Sequence, residues 1–313
     1  ARFINYFMHV FSSTSGEEFS NGRRKFVVQT GIILASIPFA SFVYGITKGK
    51  YNYKVNRIKL AFKDLPKAFH GLKVVQISDV HSGSFDDPEE VQRGIDMIKE
   101  LNPDLVLFTG DLVNNVASEI EPYINMFASI SPKIGKYSIF GNHDYGDYWK
   151  WNNDSEKAQN LTLLEEHHSS MGFKLMKNEH TRIEKDGESI VLAGVENWGK
   201  PPFHQYGDLS KTLEGVNDDE FTLLMSHDPS HWDEHVLNHK KHIHLTMSGH
   251  THGMQFGIDI PGIKWSPVKY KYPRWAGLYN EKKQNLYVNK GFGFLGFPGR
   301  VGMWPEITLF ELE

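Results

Sequence analysis

Six short apolar segments between residues 73 and 248 predict buried β-strands, and they constrain the fold more than any other feature of the chain. They cover residues 73–78, 104–109, 136–140, 189–194, 221–226 and 243–248. A helix is predicted between the first two, because Asp87 can cap it and Pro88 suits its first position. This alternation of strand and helix predicts an α/β fold.

Five of these strands run directly into residues that can bind metal. The residues in question are Asp79 and His81, Asp111, Asn142, His227, and finally His250 and His252. Ligands of an open α/β sheet bind at the carboxyl ends of its strands, so we expect these side chains to meet in one crevice. Glycines stand before Asp111, Asn142 and His250, as tight turns at strand ends require.

The number and type of these residues favour a site with two metal ions. The chain has no cysteine, so any metal must be held by imidazole, carboxylate or amide groups. Seven such groups exceed what one tetrahedral ion needs, but they suit two ions that share a carboxylate. Two ions about 4 Å apart can clamp the attacking and leaving oxygens of a displacement at phosphorus and supply hydroxide near neutral pH.

The order of these motifs resembles that of the calcineurin-like metallophosphoesterases. The matching blocks are Asp79-x-His81, Gly110-Asp111, Gly141-Asn142-His143-Asp144, His227 and Gly249-His250-x-His252. The resemblance covers roughly residues 55–313. It implies a fold of two packed mixed β-sheets flanked by helices on both outer faces, a four-layer sandwich, and a hydrolase acting on phosphate ester or anhydride bonds.

The resemblance also implies a role for each residue. Asp79, His81 and His252 would bind the first metal, Asn142, His227 and His250 the second, and Asp111 would bridge them. His143 would protonate the leaving oxygen or stabilise charge on the phosphate, with Asp144 holding its ring. The ions expected are two divalent metals, with manganese, iron or zinc as the leading choices.

The segment after His250 points to one branch of the family. Gly249-His250-Thr251-His252-Gly253-Met254-Gln255 is similar to the bacterial branch of UDP-2,3-diacylglucosamine pyrophosphatase-like and twin-arginine-exported phosphoesterases. That branch usually has glycine at the position of Met254. The departure leaves the substrate open.

Residues 26–47 form a stretch of 22 residues without a charge. As a helix it would be roughly 33 Å long, enough to cross a bilayer. Arg23, Arg24 and Lys25 precede it, and such positive flanks favour the cytoplasmic side. We therefore expect a cytoplasmic segment 1–25, a membrane helix 26–47 and a phosphoesterase domain 48–313 on the periplasmic side of the inner membrane.

Alternatives to this membrane interpretation remain open. The arginine pair followed by an apolar stretch also resembles a twin-arginine signal anchor, and a helix buried in a core is a third interpretation. Residues 3–11 are apolar enough to end an earlier membrane helix. The chain begins at Ala1 without a methionine, so further residues upstream are conceivable.

Two residues outside the motifs are predicted to bind substrate. Arg300 lies on a glycine-flanked loop and could hold a phosphate with two hydrogen bonds. Asn197 follows a strand and could line the pocket. Residues 292–297 alternate large apolar groups with glycine, which favours an exposed loop that contacts the membrane or a lipid tail.

The sequence leaves two classes of function open. The first is a membrane-anchored phosphohydrolase acting on a phosphodiester, pyrophosphate or phosphomonoester, with a lipid-linked substrate as one option. The second is a non-catalytic, metal-binding scaffold subunit of a membrane complex. The formal net charge is −4, so nothing in the composition favours nucleic acid as a partner. Protein partners cannot be read from the sequence.

Overall fold

The computed structural model describes residues 21–313, and the chain divides after Val43 into two compact units. Helix α1 spans Asn21–Thr47, and its described side chains up to Val43 are exposed or half-exposed. Within the described part of the chain, it is the one helix long and apolar enough to cross a membrane. Residues 1–20, with the predicted earlier membrane helix and most of the predicted cytoplasmic segment, lie outside the described residues.

The unit Tyr44–Glu313 is built from two mixed six-stranded sheets, a short hairpin and five helices. The strands in chain order are β1 (Lys54–Leu60), β2 (Leu72–Ile77), β3 (Leu105–Phe108), β4 (Gly135–Ser138), β5 (Phe173–Leu175), β6 (Glu179–Lys185), β7 (Glu188–Gly194), β8 (Thr222–Met225), β9 (Leu245–Ser248), β10 (Ile258–Ile260), β11 (Ile263–Trp265), β12 (Gly277–Glu281), β13 (Gln284–Val288) and β14 (Glu306–Leu312). The helices are α2 (Pro88–Glu100), α3 (Ile124–Ala128), α4 (Asp154–Ser170), α5 (Leu209–Thr212) and α6 (Ser230–Glu234).

The first sheet has the order β1-β14-β2-β3-β4-β5 and the second β12-β13-β9-β8-β7-β6. The six predicted strands are confirmed as β2, β3, β4, β7, β8 and β9, with ends shifted by at most two residues. Strands β2, β3 and β4 are parallel neighbours in the first sheet, and strands β7, β8 and β9 are parallel neighbours in the second. The predicted helix is confirmed as α2, where the Asp87 side chain accepts a hydrogen bond from the Glu90 amide at 3.2 Å.

The central strands are apolar on both faces because each face borders a different core. In β3, Leu105 and Leu107 lie in the core between the sheets, while Val106 and Phe108 pack in the core that also holds Val91 and Ile95 of α2. The second sheet repeats this pattern, and its outer core includes Trp232 of α6. The result is helix, sheet, sheet and helix in four layers, which confirms the expected fold class. Because both faces of the central strands are buried, their sequences are continuous apolar runs.

Residues 292–297 do not form the exposed loop expected from the sequence. Phe292 and Phe294 are 0% and 2% exposed and belong to the core beside α2. Gly94 leaves room for the Phe292 ring, because a Cβ at position 94 would lie 2.6 Å from the ring. A Cβ at Gly293 would collide with the Val80 carbonyl. The glycines are there for close packing, so the prediction that these two phenylalanines contact the membrane is wrong.

Candidate metal centre

The seven predicted ligands lie at the carboxyl ends of strands from both sheets. Strands β2, β3 and β4 of the first sheet precede Asp79, His81, Asp111 and Asn142, and strands β8 and β9 of the second precede His227, His250 and His252. The structure brings six of them into two groups whose ligand atoms lie within 4.8 Å of one another. One group is Asp79, His81 and His252, and the other is Asp111, His227 and His250.

Asp111 lies between the two groups. Its Oδ2 atom is 3.5 Å from His81 Nε2 in the first group and 3.1 Å from His227 Nε2 in the second. One carboxylate oxygen therefore faces histidine nitrogens of both groups, which is the position that the predicted bridging role requires.

Asn142 completes the second group. Its Oδ1 atom is 2.8 Å from His250 Nδ1, and its Nδ2 atom donates to the Tyr148 hydroxyl at 3.0 Å. The tyrosine hydroxyl thus holds the amide beside the site. The oxygen, which is the end that can bind a metal, points at the other ligands.

The backbone at the site is held in an uncommon conformation. Asp79, His81, Asp111, His250 and His252 all have positive φ angles, between 47° and 71°. Such angles are unfavourable for residues with side chains, and they persist where the surrounding structure enforces them, as at functional sites. The glycines in these turns allow the neighbouring groups to approach closely. A Cβ at Gly141 would collide with the Asp111 carboxylate, and a Cβ at Gly249 would collide with Ser78.

The electrostatics of the buried ligands fit divalent cations. Burial lowers the pKa of His81 to about 3 and that of His250 to about 4, so both rings are neutral and can offer a lone pair. For His227, burial acts to lower the pKa, but the nearby Asp111 carboxylate acts to raise it. The net result is a pKa raised to about 10. The carboxylate thus attracts positive charge to this point, and a divalent ion would provide it.

Unpaired buried atoms support the same fit. His81 Nε2 and His252 Nε2 are both buried without a hydrogen-bond partner. Buried polar atoms normally have a partner, and each of these nitrogens is within 3.5 Å of a ligand carboxylate. In contrast, the His227 ring has its Nδ1 2.7 Å from the Thr109 carbonyl, which leaves Nε2 for a metal. The two residue groups therefore fit a divalent binuclear centre.

His143 lies at the edge of the centre and lines the cavity above it. Its amide donates to Asp111 Oδ1 at 2.9 Å, and its Nδ1 is 2.7 Å from the Asn114 carbonyl. A ring that donates from Nδ1 leaves Nε2 to exchange a proton with a substrate. The ring is thus oriented by a main-chain carbonyl and by contact with the Tyr148 ring, whose centroid is 4.7 Å away.

Asp144, expected to hold the His143 ring, has different partners. Its carboxylate accepts hydrogen bonds from the amides of Gly141, Asp111 and Leu112, each at 2.8 Å. It therefore joins the turn after β3 to the turn after β4. Burial raises its pKa to about 7, with the nearby Asp111 charge adding to the shift. Asp144 thus holds the main chain at Asp111 rather than the His143 ring.

The two predicted substrate-binding residues lie outside the cavity lining. Arg300 is completely buried and donates to the carbonyls of Lys290, Gly293 and Met303, and its Nη2 is 3.1 Å from His252 Nδ1. Asn197 is 1% exposed and donates to the His204 carbonyl at 3.1 Å. Arg300 thus lies behind a ligand of the first group, and Asn197 stabilises a loop.

Sequence reasoning missed a carboxylate behind His250. Asp228 is 1% exposed, and its Oδ2 atom has no hydrogen-bond partner but lies 3.4 Å from His250 Nε2. The Tyr272 hydroxyl is 2.7 Å from the same nitrogen. Outer carboxylates of this kind orient ligand imidazoles and strengthen them as ligands. The sequence signal that could have identified Asp228 is its position directly after His227.

We expect Asp228→Asn to weaken metal binding at the second group by about 10- to 100-fold, because the amide offers no negative charge to the His250 ring. Metal dissociation constants of the purified chain, measured by competition with a chelator, test this. Asp233→Asn, on the neighbouring helix α6, is the matched control. An unchanged dissociation constant in Asp228→Asn would exclude the orienting role.

A cavity of about 570 Å³ opens directly above the ligands. His81, Asp111, Asn142, His143, His250 and His252 are at its floor and side, and its walls are largely apolar, with Phe203, Met254, Val268, Tyr270 and Leu295 among them. A small polar floor in an apolar cavity suits a ligand with a polar head and a nonpolar portion.

Comparison with known proteins identifies the family to which the chain belongs. The family model for calcineurin-like phosphoesterases matches residues 72–254, which include all seven predicted ligands. The chain therefore belongs to the calcineurin-like phosphoesterases, and the resemblance read from the sequence is confirmed. A second model, for the transmembrane domain of probable calcineurin-like phosphoesterases, matches residues 1–50. The N-terminal region is thus a membrane-associating segment.

Individual relatives agree with this assignment. A transmembrane protein with metallophosphoesterase domain from Danio rerio is 30% identical over 87% of this chain, which spans 60% of that relative's length. The uncharacterized metallophosphoesterase YkuE of Bacillus subtilis is 30% identical over 80% of this chain and 82% of its own. The phosphodiesterase YaeI of Escherichia coli is 26% identical over 93% of this chain and 98% of its own.

Proposed function

We propose that the chain is a membrane-anchored, binuclear metal-dependent phosphohydrolase that cleaves a phosphodiester, pyrophosphate or phosphomonoester. The observation that carries this proposal is the pair of buried ligand groups on either side of Asp111, placed under a cavity that His143 also lines. Two divalent ions held there would generate a nucleophile from water near neutral pH and neutralise the charge of the phosphate.

The remaining roles belong to the side chains of the protein. Asp79, His81 and His252 would hold one ion, Asn142, His227 and His250 would hold the other, and Asp111 would contact both. His143 donates a proton to the leaving oxygen or a hydrogen bond to the phosphate, since the Asn114 carbonyl fixes its ring. Asp144 keeps Asp111 in place through the amides of both turns.

We further propose that residues 26–47 anchor the enzyme in the inner membrane and that the domain 48–313 is extracytoplasmic. The positive residues before the anchor support this orientation. Fusion of a reporter that is active on only one side of the membrane, placed after Glu313, tests it.

A lipid-linked phosphate ester is the proposed substrate class. The walls of the cavity include Phe203, Met254, Val268 and Leu295, which can accept a nonpolar chain while the phosphate lies on the ligands. The membrane-associating N-terminal region keeps the enzyme where such substrates are.

Turnover of an aryl phosphodiester by the purified chain with Mn²⁺ tests the central proposal. We expect hydrolysis that a chelator abolishes and that added Mn²⁺ restores. The alternative is a non-catalytic scaffold that keeps its metals for structure. Metal bound at both groups without hydrolysis of any phosphodiester, monoester or pyrophosphate would favour the scaffold.

A further inference from the structure

The hairpin formed by β10 and β11 carries an exposed apolar face. Ile258, Ile260 and Ile263 are 46%, 55% and 55% exposed. Ile258 pairs with Trp265 and Ile260 with Ile263, and the alternation of side chains places all four on one face. The tip is Pro261-Gly262, where the φ of 83° at Gly262 suits a type II turn. The hairpin is therefore a short, defined element with four nonpolar side chains.

The base of this hairpin is joined to the end of helix α1 by one segment of chain. The Gly257 amide donates to the Val301 carbonyl at 2.9 Å, and the Val301 amide donates to the Gln255 carbonyl at 2.7 Å. The preceding residue, Arg300, donates from its amide to the Gly45 carbonyl at 3.2 Å. The same loop thus contacts the hairpin on one side and the end of the apolar helix on the other.

The contacts around the helix end are close and aromatic. A Cβ at Gly45 would lie 2.7 Å from Val301 Cγ2, so no side chain fits between them. The rings of Tyr44 and Trp304 meet edge to face with centroids 5.7 Å apart. Tyrosine and tryptophan are typical of the boundary between membrane and water. Residues Tyr44 and Gly45 at the helix end therefore lie near the hairpin base.

We propose that the β10–β11 hairpin inserts its apolar face into the surface of the bilayer with which the N-terminal region associates. The bilayer is favoured over a second copy of the chain because four side chains are far fewer than the roughly 20–30 residues per partner of a stable interface. Met254 and Pro267, which flank the hairpin in the chain, line the cavity. The inserted hairpin thus keeps the mouth of the cavity at the lipid surface.

The absence of native cysteine makes a single-site probe possible in the full chain. We would label Ile260→Cys with an environment-sensitive fluorophore and reconstitute the protein in vesicles of phosphatidylethanolamine and phosphatidylglycerol. Lys283→Cys is the matched control, because Lys283 is exposed at the tip of the β12–β13 hairpin. Ile263→Cys serves as a second probe of the apolar face, and circular dichroism checks the fold of all three.

The expected result is a blue-shifted emission at positions 260 and 263 that spin-labelled acyl chains quench, and an emission at 283 that aqueous iodide quenches. Equal iodide quenching at all three positions would overturn the proposal. Shielding at 260 that disappears when the labelled protein is diluted into excess lipid would assign the face to a second copy and would also overturn it. The readout is spectroscopic and does not depend on the proposed hydrolysis.

Discussion

Replacement of Asp111 by asparagine is expected to reduce the hydrolysis of phosphate esters by at least roughly three orders of magnitude. Asp111 Oδ2 faces His81 Nε2 at 3.5 Å and His227 Nε2 at 3.1 Å, so the substitution removes negative charge from both groups at once. Metal ions supply several kcal/mol of transition-state stabilisation, and about 1.4 kcal/mol corresponds to a factor of ten in rate.

Two measurements on Asp111→Asn relate the loss of rate to the loss of metal. Elemental analysis of the purified variant should find less than two metal ions per chain, and steady-state rates on an aryl phosphodiester should fall with them. Asp96→Asn, an exposed carboxylate on α2, is the control for loss of one negative charge. Two tightly bound ions together with a wild-type rate would contradict the bridging role.

Replacement of His143 by asparagine is expected to lower the rate by about 10²- to 10⁴-fold while both metal ions stay bound. His143 is not in either ligand group, and its Nδ1 is already engaged by the Asn114 carbonyl. Loss of its ring therefore removes a proton donor from the cavity without removing a ligand. Metal content and rate, measured on the same preparation, check both halves of this expectation.

The leaving group distinguishes the two roles of His143. A proton donor matters most for a poor leaving group such as an alkoxide and least for 4-nitrophenolate, so the decrease should be larger for an alkyl ester. An equal decrease for both esters would assign His143 to stabilising charge on the phosphate instead. His70→Asn, at an exposed position, is the control. A wild-type rate in His143→Asn with both esters would contradict either role.

Local patterns predicted the parts of the fold that depend on neighbouring residues. Strand β3 is four apolar residues followed by Thr109, Gly110 and Asp111, and helix α2 begins at the predicted cap. The motif order then identified the ligand types. The structure adds that the residues meeting in the expected crevice come from two sheets, whereas the argument from the sequence used the strand ends of one open sheet. Pairing between distant strands is not encoded in a local pattern.

The features that sequence reasoning missed are set by partners far away in the chain. Asp144 is adjacent to His143, yet its carboxylate points to the amides after β3, more than 30 residues earlier. Phe292 appeared exposed because glycine follows it, but the space it fills is provided by Gly94 on α2. A chain position next to glycine can serve a tight turn or a close contact, and only the partner decides which.

Arg300 shows the same limit for a charged residue. An arginine between glycines near the C-terminus looks available to a phosphate, but this guanidinium is buried among the carbonyls of Lys290, Gly293 and Met303. Burial lowers its pKa to about 10. The glycines around it let the main chain approach closely, and the carbonyls thus brought near take up its donors.

The division of the ligands between the sheets sets the order in which the site can be made. The first group needs His252 from the second sheet, and the second group needs Asp111 from the first. Neither half of the domain can therefore assemble a complete group alone, and a nascent chain that has not reached His250 holds only partial sites. Metal capture would consequently come late in biosynthesis and would lock the two halves together, which makes metal supply a factor in how much mature protein a cell accumulates.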